Sequence, residues 1–182
     1  MQTMTGSPVT AGQIDIGAQQ LGRDNREFVL ASREDVCSVA VALASQAQRS
    51  LLLVTRNLEP AIFDREPLLD AVSGLARLYR DSHFWILLQD GRTAISNGHR
   101  LIELSRRLST HIQIRRPAPH HRGDPRTFLL SDSAGYLNRP LADRYEGTAN
   151  FNDPGTVRVL RKHFMEVWEQ AVPDEEMRRL YL

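Results

Sequence analysis

Leu51-Leu52-Leu53-Val54 and, one amphipathic stretch later, Phe84-Trp85-Ile86-Leu87-Leu88 decide how this chain folds. Each is an unbroken apolar run, too short for a helix and without polar alternation. Such a run suits a strand covered on both faces, as at the centre of a parallel sheet. Between the two runs, Pro67 opens a helix where its missing N–H costs nothing. Leu68, Val72, Leu75, Ala76 and Tyr79 then recur at the spacing of one buried helix face. The unit is strand, helix, strand.

The same alternation extends outward. Toward the N-terminus, Glu27-Phe28-Val29-Leu30 reads as a short strand. Ser32 follows as a helix cap, with Asp35 three residues on in the manner of a capping box. Val36, Val39, Ala40 and Leu43 give that helix its buried face. Toward the C-terminus, Gln89 to Asn97 reads as a polar loop. Leu101, Leu104 and Leu108 mark a third helix, and Ile112 and Ile114 alternate in a further strand. Four strands separated by three helices predict a parallel sheet with helices on its faces.

Past Ile114 the pattern changes. Arg115 to Pro125 is a loop rich in Pro, His and Arg. Thr127-Phe128-Leu129-Leu130 and Gly135-Tyr136-Leu137 predict an antiparallel hairpin that turns through Ser131 to Ala134. Arg139 to Asn152 reads mostly as loop. A long helix starts near Asp153 and runs through Val157, Leu160, Phe164, Val167, Trp168 and Ala171, until Val172-Pro173 ends it. The expected fold class is α/β, a mixed, mostly parallel sheet flanked by helices.

Composition narrows the function. The chain has 182 residues, the size of one domain with a full core, and a formal net charge of +1. No bulk field draws it to nucleic acid or to an anionic membrane, so any such binding needs a local cluster. The cations are almost all arginine, and Lys162 is the only lysine. The single cysteine, Cys37, excludes an intramolecular disulfide and a site of several thiolates, and its apolar neighbours predict a small buried side chain. Met1 to Gln20 has no basic stretch followed by an apolar run, and no segment approaches the ~20 apolar residues of a membrane span. The expectation is a cytoplasmic protein with a flexible tail over residues 1–24, a domain over residues 25–182, and no membrane partner.

Three segments carry a resemblance to a known family. They are Arg80-Asp81-Ser82-His83 leading into Phe84-Trp85-Ile86-Leu87-Leu88, then Thr110-His111-Ile112-Gln113-Ile114, and finally Gly147-Thr148-Ala149-Asn150-Phe151. The last is similar to a Gly-Ser/Thr-x-Asn segment that follows a catalytic hairpin. In this order, from about Leu51 to Ala171, the chain resembles one repeat of the phospholipase D superfamily. It is also similar to a bacterial domain family of unknown function that shares this fold and can follow an acetyltransferase domain. The resemblance implies a phospholipase D-type fold and a homodimer that pairs two repeats across a two-fold axis. It also implies a phosphorylated ligand or a nucleic acid, and, from the second likeness, an acetyltransferase partner.

The chain departs from that family at the chemistry. Active members carry His-x-Lys on the first hairpin strand and an Asp at its end. The His attacks phosphorus and the Lys neutralises the phosphate oxygens, so both must project to one side of the strand. With Asp132 at the Asp position, the family spacing puts Thr127 at the Lys and Pro125 at the His. Neither can do that work. No His-x-Lys pair occurs anywhere in the chain.

The remaining candidates are ligand contacts. Arg115, Arg116, Arg122 and Arg126 gather after the last parallel strand, opposed only by Asp124. Ligands of open α/β sheets sit beyond the carboxyl ends of the strands, and arginine suits bidentate phosphate contacts. His120 and His121 stand in the same loop. On an extended segment they point apart, which is poor for sharing an ion, so no metal and no cofactor is expected. Thr148 and Asn150 face the same cleft if the resemblance holds, with Asp132 nearby. This arrangement predicts a binding or assembly module without catalytic residues. The alternatives are an accessory domain of an acetyltransferase-type enzyme, or a phosphodiesterase or nuclease with a rearranged site using His120 or His121. Trp85 and Trp168 are expected in the core. His83, His99, His111 and His163 are given no role.

Overall fold

The capping box at Ser32 forms as expected. The Ser32 hydroxyl accepts from the Asp35 N–H, and the Asp35 carboxylate accepts from the Ser32 N–H in return. It starts α1 (Arg33–Gln46), the first long helix of a computed structural model that describes residues 9–10 and 15–174. Around it the chain runs β1 (Val9–Thr10), β2 (Phe28–Leu30), α1, β3 (Ser50–Thr55), α2 (Pro60–Phe63), α3 (Glu66–Leu78) and β4 (His83–Leu88). It continues through α4 (Arg92–Ser96), α5 (Arg100–Arg107), β5 (Ile112–Arg116), β6 (Thr127–Ser131), β7 (Gly135–Arg139), β8 (Gly147–Asn150), α6 (Pro154–Gln170) and β9 (Val172–Pro173).

The strands form one sheet in the order β1-β2-β8-β7-β6-β3-β4-β5-β9. β3, β4 and β5 are parallel, and β6 pairs with β3 antiparallel. The central run is buried at all six positions of β3, which is why it carries no polar alternation. Leu51 and Leu53 face a core shared with α1 to α5, while Leu52 and Val54 face a second core under α6. The mixed α/β architecture is the one expected, but the sheet is not mostly parallel: among the described residues five of its eight strand pairings are antiparallel, because the hairpin, β8 and β9 all join it in that sense.

Four short elements escape the sequence pattern. α4 lies inside the predicted polar loop, and Ala94 is its only fully buried residue. α2 lies in the connection after β3, β8 lies inside the predicted loop before α6, and β9 closes the edge of β5. None is long enough to show a period. Each owes its form to tertiary partners rather than to propensity.

The expected tail boundary at residue 24 does not hold. Ile16 is buried, the Leu21 N–H donates to Gln46 Oε1 at 2.8 Å, and Gln46 Nε2 donates to the Gln19 carbonyl at 2.9 Å. The Gly22 N–H donates to the Phe151 carbonyl at 2.8 Å. Residues 15–24 are therefore part of the domain. Most of the rest of the expected tail, residues 1–8 and 11–14, lies outside the described residues. Among the described residues no helix is long and apolar enough to cross a membrane. Cys37 is buried on α1, with its thiol against the Ala61 carbonyl.

Candidate functional site

The parallel strands give the sheet a carboxyl rim, at Thr55, Leu88 and Arg116, and an amino rim, at Ser50, His83 and Ile112. The two rims hold different chemistry.

At the carboxyl rim, the arginine cluster is largely occupied by its own surroundings. Arg115 lies over the Trp168 ring, 4.4 Å from its centre, and donates to the Trp168 carbonyl. Arg116 approaches the buried Asp174 at 4.0 Å. Arg122 donates to the Pro117 carbonyl. Arg126 grips Asp124 with two parallel hydrogen bonds of 2.8 and 2.7 Å. Burial pushes the Asp124 carboxyl up, but the Arg126 hydrogen bonds and charge outweigh it and hold the group below the usual carboxylate range. His163 of α6 completes this cluster, with Nε2 2.9 Å from Arg126 and 3.0 Å from Asp124. A bare Nε2 accepts from Arg126, whereas a protonated one donates to Asp124.

His120 and His121 do not point apart. They lie on a 3-10 turn, Pro119–His121, not on an extended segment. Their rings are therefore 4.3 Å apart and tilted by 45°. His120 Nε2 meets Gln170 Oε1 at 3.0 Å, and the buried His121 Nε2 has no partner. Among the described residues no three His, Cys, Asp or Glu side chains gather into a metal site.

The position of the missing cation is filled. Thr127, which stands at the family's Lys position, is buried opposite Arg139 on β7. The Arg139 guanidinium is 0% exposed. It donates to Glu59 Oε1 at 2.7 Å, to the Ala142 carbonyl at 2.7 Å and to the Arg144 carbonyl at 2.6 Å. The connection from β7 to β8 folds back over the rim, and the Ala142 N–H reaches the Pro125 carbonyl at 2.6 Å. Next in the row is Gly147, where any Cβ would collide with the Asn138 carbonyl oxygen. The hydroxyls of Thr55 and Thr127 are buried here without partners.

Thr148, Asn150 and Asp132 do not join the arginine loop in one cleft, contrary to the expectation from sequence. β8 stands five strand spacings from β5, roughly 24 Å across the sheet. Asn150 donates to Asn25 Oδ1 at 2.9 Å and accepts from the Asn152 N–H at 2.9 Å. Thr148 lies beside the Tyr136 hydroxyl, which donates to Glu27 at 3.1 Å. Burial pushes the Tyr136 phenol up to about 12.

Asp132 belongs to the amino rim. It turns the β6–β7 hairpin in the left-handed conformation, at φ 50°. Its carboxylate accepts from the backbone N–H groups of Gln48, Arg49 and Ser50 at 3.0, 2.8 and 2.8 Å. The hairpin is thereby locked to the start of β3. Next to this lock is a cleft of about 880 Å³, with Arg49, Tyr79, Arg80, His83 and Arg161 among its walls. Arg161 reaches in from α6 and donates to Ser50 Oγ at 3.2 Å and to the Asp132 carbonyl. Burial, partly offset by Asp132, holds its guanidinium below its ordinary value. Burial and then the Arg161 charge hold the His83 imidazole low as well. The His83 ring lies 4.2 Å from Trp85, and Trp85 stacks on Trp168 at 4.9 Å. Trp168 is in the core as expected, while Trp85 keeps part of its surface open.

Sequence reasoning missed Arg49, Arg80 and Arg161. The available signal was positional, since Arg49 and Arg80 stand just before the two apolar runs of β3 and β4. Nothing in the local pattern placed Arg161 beside them.

The fold places the chain among phospholipase D-like domains. Nuc of Salmonella typhimurium, a phospholipase D family member, matches 75% of this chain and 88% of its own at 12% identity, with a TM-score of 0.53. NucT of Helicobacter pylori matches 82% of this chain and 98% of its own at 13% identity and a TM-score of 0.56. TrmBL2, an archaeal chromatin protein described as showing a novel mode of DNA binding, matches 82% of this chain at 16% identity and a TM-score of 0.58. The match takes in only 54% of TrmBL2. No curated protein matches the chain. Within this fold class, the chain belongs to the domain of unknown function DUF7931, whose profile matches residues 32–180.

Proposed function

We propose that this chain is a phospholipase D-like domain without phosphoryl-transfer activity that binds single-stranded nucleic acid. One observation carries the reading. The two positions that would supply nucleophile and cation hold Pro125 and a buried Thr127, and the rim around them is filled by the Arg139–Glu59 pair. No group is left there to attack phosphorus, while the scaffold and its cations persist. The likeness to a DNA-binding chromatin protein supports nucleic acid as the ligand, because a phosphodiester chain needs only cations and stacking surfaces.

The test combines binding and hydrolysis. A fluorescently labelled single-stranded oligonucleotide is titrated with the protein at rising salt. The expected result is binding that weakens with a log–log slope of about −2, as for roughly three neutralised phosphates on a single strand. The oligonucleotide should remain intact. Cleavage that disappears in the His120→Ala, His121→Ala double variant would replace this reading with the rearranged phosphodiesterase. A wild-type protein that binds no oligonucleotide at low salt would refute it.

A further inference from the structure

We infer that the nucleic acid is anchored at the amino rim of the sheet, in the cleft between Arg49, Arg80 and Arg161, and not at the carboxyl rim where the family's chemistry lies. This inference rests on the nucleic-acid reading above and adds the place of contact.

The cations at the two rims differ in availability. At the carboxyl rim Arg115, Arg116, Arg122, Arg126 and Arg139 are paired with Asp124, Asp174 or Glu59, held by backbone carbonyls, or packed on Trp168, and Arg56 after β3 is the exposed exception. In the cleft, Arg49 and Arg80 are exposed and, among the described residues, their side chains make no ion pair or hydrogen bond. Arg161 uses one terminal nitrogen for Ser50 and Asp132, which leaves its other N–H donors for a ligand. Its site is half-buried, and a charge there is attracted to an anion more strongly than it would be in open water.

Two carboxylates oppose the three arginines. Asp132 is in the wall, but its carboxylate already accepts from three backbone N–H groups. Asp81 is the other acid in the wall, and it is exposed. Three arginines thus face two carboxylates, and the wall keeps a net positive charge.

The cleft also offers stacking surface. Tyr79 is 37% exposed at its lip, and His83 continues through Trp85 to Trp168 as a run of contacting rings. The α6 helix covers β6 and β3 through Phe128, Leu130, Leu52 and Val54, but His83, Trp85 and Gln113 on the same sheet face stay partly open. Arginines beside open rings are the combination that holds a single strand: cations track the phosphates and rings receive the bases. The volume of about 880 Å³ lies within the roughly 300–1,000 Å³ of ordinary ligand sites.

Two double variants separate the rims. Arg49→Gln with Arg80→Gln removes exposed side chains that hold no part of the fold together. Arg115→Gln with Arg122→Gln removes two cations of the carboxyl rim, together with their hydrogen bonds to the Trp168 and Pro117 carbonyls. In the oligonucleotide titration, the first pair should weaken binding several-fold and flatten the log–log salt slope by roughly 1.4, while the second should leave both close to wild type. Tyr79→Ala should weaken binding without changing the slope. If the carboxyl-rim pair loses binding and the amino-rim pair keeps it, the site is wrong and the nucleic-acid reading stands. Binding that neither pair alters also overturns the site. A wild-type protein that fails to bind removes both.

Discussion

Both rims of the sheet carry arginine and use it differently. At the carboxyl rim, Arg139 is fully buried and ties three connections together, through Glu59, Ala142 and Arg144. At the amino rim, the Arg49 and Arg80 side chains bond nothing among the described residues, and the structural work falls to an acid, Asp132, and to backbone N–H groups. Charge alone therefore does not locate a binding site. What distinguishes the rims is whether the guanidinium groups already have partners. The end at which the fold family performs chemistry is here knitted together, and the opposite end is left open.

The comparison is broken most directly at Arg139. Arg139→Met removes the cation, leaves Glu59 without its partner and frees two carbonyls. Breaking one side of a buried ion pair costs about 3–5 kcal/mol, so the urea midpoint should fall steeply. If the midpoint stays near wild type, the carboxyl rim is not held by this residue. The amino-rim counterpart is smaller because water can reach the exposed Gln48 and Arg49 backbone. Asp132→Ala should cost about 2 kcal/mol, for lost charge-assisted bonds and a left-handed residue without a side chain that favours it. Asp132→Asn keeps one acceptor oxygen and tolerates the positive φ, and should cost about half as much. Equal losses in the two variants would mean that the carboxylate's charge-assisted bonds, not the turn conformation, set the cost.

How much of this was legible in the sequence follows the same division. The strands at Leu51 and Phe84 and the cap at Ser32 were readable, because continuous apolar runs and a capping box are local signals. β8 was not readable, since Gly147-Thr148-Ala149-Asn150 has one apolar side chain and becomes a strand only between β2 and β7. Arg139 reads as the start of a loop, because charged residues are rarely fully buried unless paired, and its partner Glu59 lies 80 residues away. The amino-rim cleft was invisible for a topological reason. Parallel strands begin at the same edge, so turns far apart in sequence converge there. The grouping of Arg115, Arg122, Thr148 and Asn150 failed for the converse reason: order along the chain did not report that β7, β6, β3 and β4 stand between β8 and β5.

The smallest expected effect lies in the Asp124–Arg126–His163 cluster, and it sharpens the view that carboxyl-rim charge serves the fold. Asp124 has its pKa depressed in the folded chain, so it contributes stability that is present above the unfolded carboxylate value of about 3.9. That contribution is lost as pH falls through the lower folded value. Part of the cluster is open to solvent, which screens the interaction and keeps the effect below about 1 kcal/mol. Asp124→Asn should therefore lower the melting temperature slightly at pH 7, and the gap to wild type should close on acidification below about pH 4. Nucleic-acid binding measured at pH 7 should be unchanged in this variant, since the cleft lies at the other rim. A variant that keeps its stability and loses binding would show that the carboxyl-rim charges serve a ligand, and the contrast between the rims would fail.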